Sequence, residues 1–231
     1  MAATTHPSPL PQRRARSSRP ALAGVGKTEP LPVLHALSEL REAVDHCRRC
    51  TLWRAATQGV PGEGAPHAPL MLVGEQPGDS EDLAGHPFVG PAGAVLDRAL
   101  ADAGIERRAI YVTNAVKHFK YEQRGKRRLH MKPSIAEIAA CNGWLREELR
   151  LVRPKLVLGL GASAARAVLG RAVTITSMRG KAVPLDETTH AWITIHPSYL
   201  LRMPEEARRI EIDRFTDELR AVRQWLRAHG A

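Results

Sequence analysis

The sequence has little cysteine and few aromatic residues. Three cysteines occur among 231 residues, and Phe, Tyr and Trp together make up 4% of the chain. An odd number of cysteines argues against a disulfide framework, so metal binding is the favoured interpretation of the closely spaced pair Cys47 and Cys50. The shortage of aromatics leaves few rings either to fill a core or to stack on a ligand.

Long apolar segments are also missing. No apolar run approaches the ~20 residues that a membrane-spanning helix needs, and the N-terminus lacks the apolar segment of a signal peptide. We therefore expect an intracellular, cytoplasmic protein that makes no use of a membrane.

Negative charge is in deficit. Thirty-four Lys and Arg residues face twenty-four Asp and Glu residues, which gives a net charge of +10. This excess favours an anionic partner, with nucleic acid first and an anionic membrane surface a distant second. Charge alone does not choose the substrate.

Length and composition indicate one folded domain with a tail. A hydrophobic share of 43% in 231 residues is enough for a substantial core. Residues 1–30 are rich in Ala, Pro, Ser, Thr and Arg without apolar periodicity, so we predict a disordered basic tail there. Residues 31–231 are predicted to form the domain, and we expect a monomer.

Within this domain, short apolar runs alternate with segments of helical periodicity. The runs cover residues 70–73, 110–112, 156–160 and 192–195. Helical patterning covers residues 92–103, 134–151 and 162–169, followed by a C-terminal helix with Ile212, Phe215, Leu219, Val222 and Leu226 on one face. This alternation predicts an α/β fold, a three-layer α/β/α sandwich with a central, mainly parallel four-stranded sheet.

Polar side chains follow three of the predicted strands. The first run leads into Glu75, Gln76 and further carboxylates, the second into Asn114, and the last into His196. Because the carboxyl ends of parallel strands meet at one edge of the sheet, these groups are expected to share a cleft. Each alone is typical of a turn or a cap, whereas together they form a candidate site.

The segment Lys126-Arg127-Arg128-Leu129-His130 places one imidazole among five cations, which are Arg124, Lys126, Arg127, Arg128 and Lys132. A loop of this composition binds a polyanion readily, and the cations favour a neutral, nucleophilic ring at His130. Taken in isolation, the run is more typical of a solvated basic loop.

Four ordered motifs resemble those of the uracil-DNA glycosylase superfamily, specifically its iron–sulfur family 4 branch. They are Gly74-Glu75-Gln76-Pro77-Gly78 with Glu81-Asp82, Gly85-His86-Pro87-Phe88-Val89-Gly90, Thr113-Asn114-Ala115-Val116-Lys117 and His196-Pro197-Ser198. Gln76 and the Lys-Arg-Arg-Leu-His segment resemble the UdgX subgroup. The resemblance runs from about Cys47 to beyond Arg202.

The resemblance implies excision of uracil from DNA, with the base turned out of the stack into a pocket. Phe88 would stack on uracil, Asn114 would read its O4 and N3 edge, and His196 would donate to O2. Glu75 and Asp79 would stabilise the sugar cation or organise the attacking group. Gln76 and Gly78 would also contact the substrate.

In the UdgX subgroup, the histidine of the inserted segment attacks the sugar C1′, which implies that His130 ends covalently attached to DNA after one turnover. Lys126, Arg127 and Arg128 would bind phosphates. Leu200 and Arg202 resemble a wedge and a phosphate contact, although a surface Leu and Arg on a helix approach fits them nearly as well.

Four residues are predicted metal ligands. A helix with Leu34, Leu37, Leu40 and Val44 on one face would deliver Cys47 and Cys50, and Cys141 would join them from a later helix. The family has a cysteine just after its Asn-x-Val-Lys run, where this chain has His118. The resemblance thus implies a [4Fe–4S] cluster on three Cys and one His, with zinc in a Cys3His site as the rival.

Three functions remain open from the sequence. The favoured one is a single-turnover uracil-DNA glycosylase that becomes linked through His130 to uracil-containing DNA of the nucleoid, with single strands as the first substrate and duplexes as the second. The second is a hydrolytic glycosylase that turns over. The third is a protein that binds nucleic acid without cutting it.

Overall fold

The computed structural model describes residues 30–230. The predicted basic tail, residues 1–30, lies outside the described residues except for Pro30. Every helix between residues 30 and 230 is too short or too polar to traverse a lipid bilayer.

Both helices and strands occur throughout the described chain. The helices are α1 (Leu37–Asp45), α2 (Asp79–Ala84), α3 (Pro91–Asp102), α4 (Ile135–Val152), α5 (Gly161–Leu169), α6 (Ile175–Met178), α7 (Pro197–Leu200) and α8 (Glu205–Ala228). The strands are β1 (Glu63–Gly64), β2 (Leu70–Gly74), β3 (Tyr111–Asn114), β4 (Tyr121–Arg124), β5 (Arg127–His130), β6 (Leu156–Leu160), β7 (Ala182–Pro184) and β8 (His190–Thr194).

The main sheet has the strand order β1-β3-β2-β6-β8-β7. Its four central strands, β3, β2, β6 and β8, run parallel and coincide with the four apolar runs of the sequence. The predicted number of strands was wrong, because β1 and β7 add antiparallel edges. Both edge strands are short and only partly buried, so no apolar run marks them.

Helices cover both faces of this sheet, which confirms the three-layer α/β/α arrangement. Met71 and Val73 of β2 pack into the cluster that includes α1, α4 and α5. Leu70 and Leu72, which point the other way, pack into the cluster that includes α3, α7 and α8. Because consecutive strand residues face opposite sides, a continuous apolar run is what a doubly covered strand needs.

The basic segment around His130 forms a β-hairpin, where the sequence had indicated a loop. Strands β4 and β5 pair antiparallel, with Tyr121 opposite His130 and Arg124 opposite Arg127. Gly125 has φ of +57° in the two-residue turn, a conformation that suits glycine in tight hairpins. His130 therefore occupies the end of a strand, close to the body of the domain.

Candidate active site

A cavity of about 640 Å³ opens at the carboxyl ends of the parallel strands. Its walls comprise Glu75, Gln76, Gly78, Glu81, Phe88, Ala92, Asn114, His130, Lys132, Leu160, Gly161, Ala162, His196, Ser198 and Arg202. Segments that follow β2, β3, β6 and β8 meet here, since parallel strands deliver their ends to one edge of the sheet.

The structure brings together most of the residues that the sequence suggested for chemistry or base binding. Those in the cavity walls are Glu75, Gln76, Gly78, Phe88, Asn114, His130, His196 and Arg202. Asp79, Lys126, Arg127, Arg128 and Leu200 lie outside the walls.

Phe88, Asn114 and His196 form one side of the cavity, here called the recognition wall. The Phe88 and His196 rings are stacked, with centroids 5.8 Å apart. Phe88 and Asn114 crowd against Gly74, where an added Cβ would lie 2.3 Å from Asn114 Oδ1 and 2.5 Å from Phe88 Cζ. Glycine at the end of β2 thus lets an aromatic face and an amide edge approach each other.

The ring of His196 is neutral and its tautomer is fixed by a hydrogen bond. Burial, reinforced by the charges of His130 and Arg202, lowers the pKa of His196 to about 4. The backbone N–H of Ser198 donates to His196 Nδ1 at 3.1 Å, so the proton of the neutral ring resides on Nε2. His196 can therefore act as a hydrogen-bond donor through Nε2 at neutral pH.

Glu75 links the core to the His130 side chain. One carboxylate oxygen, Oε2, accepts a hydrogen bond from the hydroxyl of Ser163 in the first turn of α5. The other, Oε1, lies 3.5 Å from His130 Nε2. The His130 side chain is 49% exposed, so its ring is accessible from the cavity mouth while it faces a carboxylate.

Gln76 holds the base of the hairpin, and its contact with the substrate stays a prediction. Its Nε2 donates to the carbonyl oxygens of Lys120 and Met131, both at 3.1 Å, and its Oε1 accepts from the Lys120 N–H. Both amide hydrogens are used, so none remains for a base. Since Lys120 and Met131 flank the two hairpin strands, Gln76 positions the strand that carries His130.

Arg128 and Asp79 pair with each other, and their predicted roles in DNA binding and catalysis stay predictions. The Arg128 guanidinium donates to Asp79 Oδ1 and to Asp82 Oδ2. It also lies over the rings of Phe119 and Tyr121, with Cζ 5.4 and 5.2 Å from their centroids. Arg128 is therefore committed to docking the hairpin on α2, and Asp79 serves that contact outside the cavity.

Leu200 cannot act as a surface wedge, because it is fully buried against the cluster around α3 and α8. Its neighbour Leu201 is 41% exposed and directly follows α7. Arg202 is exposed and lies in the cavity wall. Lys126 and Arg127 are exposed on the hairpin, and between residues 30 and 230 neither forms an ion pair.

Comparison with known proteins decides the family. Residues 61–220 match the family described as the uracil DNA glycosylase superfamily. The chain belongs to this superfamily. A Type-4 uracil-DNA glycosylase of Thermotoga maritima is 36% identical over 174 residues, covering 74% of this chain and 87% of that protein. A Type-4 uracil-DNA glycosylase of Sulfurisphaera tokodaii is 32% identical over 188 residues, covering 78% and 82%.

A uracil-DNA glycosylase of another type is also similar. A Type-5 uracil-DNA glycosylase of Pyrobaculum aerophilum is 35% identical over 148 residues, which cover 58% of this chain and 62% of that protein. The superfamily resemblance inferred from the four motifs is thereby confirmed, and with it the α/β fold that the resemblance implied.

The three cysteines of this superfamily member lie in one region of the core. Cys47 and Cys141 are buried in the same apolar cluster, and Cys50 packs against it. The sulfur of Cys47 accepts a hydrogen bond from Trp144 Nε1, and that of Cys141 accepts one from the Lys117 N–H, both at 3.2 Å. Hydrogen bonds donated to sulfur suit thiolate ligands.

The ligand geometry is not assembled, however. Over the described part of the chain, no group of three or more His, Cys, Asp or Glu side chains is arranged to hold a metal ion. Burial raises the pKa of Cys141 to about 12, so this thiol is protonated at neutral pH. Burial lowers the pKa of His118, which keeps that imidazole neutral.

A fully buried ion pair, which no sequence motif predicted, lies beneath the recognition wall. Lys117 Nζ donates to Glu148 at 2.7 Å, to Thr113 Oγ1 and to the carbonyl oxygen of Asn114. Glu148 also accepts from the N–H of Gly62 at 2.9 Å. A lysine directly after an apolar strand and a lone glutamate on the apolar face of α4 are the signals that could have revealed it.

Glu81, which belongs to the first motif, lines the cavity and joins two of its loops. Its carboxylate accepts from the N–H groups of Gly78 at 3.0 Å and Gly90 at 2.7 Å. These bonds tie the loop after β2 to the loop that carries Phe88. Phe88 itself has φ of +56°, an uncommon conformation for a bulky residue that such bonds help to hold.

Proposed function

We propose that this protein is a uracil-DNA glycosylase of the UdgX type, which excises uracil from DNA and becomes covalently attached to the abasic sugar through His130. The observation that carries the proposal is the position of the His130 ring. It faces Glu75 in the same cavity as Phe88, Asn114 and His196, on a hairpin that Gln76 and Arg128 fasten to the domain.

The recognition wall suits uracil. A flipped base requires a stacking face and partners for its hydrogen-bonding edge. Phe88 supplies the face, and the Asn114 amide can donate to O4 while it accepts from the N3 hydrogen. Cytosine presents the opposite pattern at these two atoms, so the same amide disfavours it.

Cleavage of the glycosidic bond creates charges of opposite sign. The electron pair of the C1′–N1 bond leaves with uracil, and the sugar becomes a cation. The Nε2 hydrogen of neutral His196 can donate to uracil O2 and stabilise the departing anion. The Glu75 carboxylate can stabilise the sugar cation from within the cavity.

His130 then competes with water for C1′. The lone pair of Nε2 forms the new bond to carbon, and the resulting imidazolium loses its Nδ1 proton to solvent. Glu75 lies next to this ring and offsets its positive charge while the bond forms. Because imidazole is a better nucleophile than water, a ring held at C1′ captures the sugar first.

The DNA contacts proposed from the sequence are revised. Lys126, Arg127 and Arg202 remain the proposed phosphate contacts, because all three are exposed. Leu201 replaces Leu200 as the proposed wedge. Arg128 is assigned to hairpin positioning.

We further propose that Cys47, Cys50 and Cys141 hold a [4Fe–4S] cluster, with His118 as the fourth ligand. The burial of Cys47 and Cys141 and the N–H bonds to their sulfurs support this assignment. When bound, the cluster would order the segment between residues 118 and 141, which includes the hairpin. Iron and acid-labile sulfide assays of the purified protein test it, and stoichiometric zinc without sulfide would contradict it.

A denaturing gel tests the covalent reaction. The purified protein is incubated with a uracil-containing single-stranded oligonucleotide and analysed before and after hot alkali. A heat-resistant shifted band is expected for the wild type, and it should be absent for His130→Ala but present for His35→Ala, a surface control. Mass spectrometry should find deoxyribose on the peptide that contains His130.

The alternatives give different gels. An alkali-cleavable abasic product without a shifted band would identify a hydrolytic glycosylase. Unchanged oligonucleotide that is nevertheless bound in a native gel would identify a nucleic-acid-binding protein. A full yield of adduct from His130→Ala would show that another residue is the nucleophile.

A further inference from the structure

The two oxygens of the Glu75 carboxylate have different partners. Oε2 accepts the hydrogen bond of Ser163, and Oε1 faces His130. We propose that Ser163 is a positioning residue that turns Glu75 toward His130 and so decides whether C1′ is captured by histidine or by water. The inference rests on the proposed covalent reaction.

Ser163 is anchored independently of the hairpin. It is 3% exposed and lies in the first turn of α5, directly after β6. The helix packs on β2 and β6, so the position of the hydroxyl is set by the core of the domain. The positive end of the α5 dipole also favours a carboxylate at this place.

The hydroxyl restricts what the carboxylate can do. Rotation about the last torsion of a glutamate side chain is soft, so a free carboxylate samples many orientations. The bond from Ser163 fixes this rotation and engages Oε2, which leaves Oε1 toward the His130 ring. Without the hydroxyl, the carboxylate can turn, and Oε2 gains a free lone pair that can accept a hydrogen bond from water.

The two routes share their first step and differ in the second. On the histidine route, the Nε2 lone pair bonds to C1′ and the imidazolium releases its Nδ1 proton to solvent. On the water route, the water oxygen bonds to C1′ and one water proton passes to Glu75, which gives a free abasic sugar. The ratio of adduct to abasic product therefore reports on Glu75 orientation separately from the rate of uracil release.

The experiment measures this ratio for the full chain on a uracil-containing oligonucleotide. Ser163→Ala should raise the ratio of alkali-cleavable abasic product to adduct about tenfold over wild type, because a misaligned reacting group loses its rate advantage. Ser163→Thr retains a hydroxyl and should restore the wild-type ratio. Thr189→Val removes a buried hydroxyl bond to Pro154 at the opposite end of the sheet and should leave the ratio unchanged.

The outcomes separate the two proposals. If the wild type forms no adduct, the proposed function fails and this inference fails with it. If the wild type forms adduct and Ser163→Ala gives the same ratio at a lower rate, Ser163 has only a structural role and the inference is overturned. Should Ser163→Ala not fold, Ser163→Cys preserves the volume with a weaker donor, and an unchanged ratio there overturns the inference equally.

Discussion

The recognition wall and the hairpin border the same cavity but are built differently. Asn114 and Phe88 are 2% and 5% exposed, and they rest on the sheet and on a buried ion pair. The His130 side chain is 49% exposed, and its strand is docked by the side chains of Gln76 and Arg128. The proposed base-recognition residues therefore depend on the core, whereas the proposed nucleophile depends on a few polar contacts at the surface. Each can be broken without the other.

Removal of the buried cation should damage the recognition wall most. Lys117→Met leaves Glu148 charged and unpaired in the core, so we expect a loss of about 3–5 kcal/mol in the free energy of unfolding. Uracil release and adduct formation should fall together, because Asn114 loses the donor to its carbonyl oxygen. Urea unfolding and single-turnover assays measure the two effects.

The matched control for this prediction is the double variant Lys117→Met with Glu148→Gln. It removes both charges and retains an acceptor for the N–H of Gly62. Most of the lost stability should return, because no unpaired charge remains. A double variant as unstable as Lys117→Met would contradict a role for charge pairing.

Acid should weaken the recognition wall through His196. Its pKa is lowered to about 4 from an ordinary value of 6.5, so between these values the unfolded chain binds more protons than the folded one. Stability therefore rises with pH across this window, and roughly 3 kcal/mol is lost as the pH falls from 6.5 to 4. His196→Gln should remove this contribution. Urea unfolding at pH 7 and pH 4.5 measures how much unfolding free energy the wild type and the variant each lose in acid. An equal loss in both proteins would count against a neutral, buried His196.

The recognition wall was largely predictable from the sequence, for a physical reason. Buried parallel strands are continuous apolar runs, and a polar residue directly after such a run must lie at the carboxyl edge of the sheet. Asn114 and His196 follow from this rule, and both line the cavity. The four motifs then identified the superfamily.

The hairpin contacts were not predictable in the same way. Arg128 and Asp82 are 46 positions apart in the chain, and no local pattern shows that they pair. A basic run predicts side chains that are free to bind an anion, yet Arg128 is paired with two carboxylates of the same chain. The burial of Leu200 instead of Leu201 likewise depends on the turn after α7, which a short apolar pair does not fix.

Loosening the hairpin should separate capture from excision. Arg128→Gln removes the ion pairs to Asp79 and Asp82, so the His130 ring is held less firmly. We expect adduct formation to slow by about tenfold to a hundredfold, while uracil release changes little. Quenched single-turnover reactions that quantify free uracil and shifted DNA measure both rates.

Arg124→Gln is the matched control for Arg128→Gln, because Arg124 belongs to the same hairpin but, among residues 30–230, pairs only with Glu122. It should retain the wild-type ratio of adduct to released uracil. If Arg128→Gln slows uracil release and adduct formation equally, the hairpin also shapes the recognition wall. The contrast drawn between these two regions would then be wrong.

The smallest effects should come from the tip of the hairpin. Lys126→Gln and Arg127→Gln each remove an exposed charge proposed to contact a phosphate, without touching the cavity walls. Each should reduce the slope of log affinity against log salt by about 0.7 on single-stranded DNA, since one fewer counterion is released. Adduct formation at saturating DNA should be unchanged, because these side chains are proposed to contact the DNA and do not position the His130 ring. Filter binding at several salt concentrations measures this slope, with all variants made in a His130→Ala background that forms no adduct. If the slope does not change, the hairpin tip is not part of the DNA interface, and Arg202 remains as the proposed phosphate contact at the cavity.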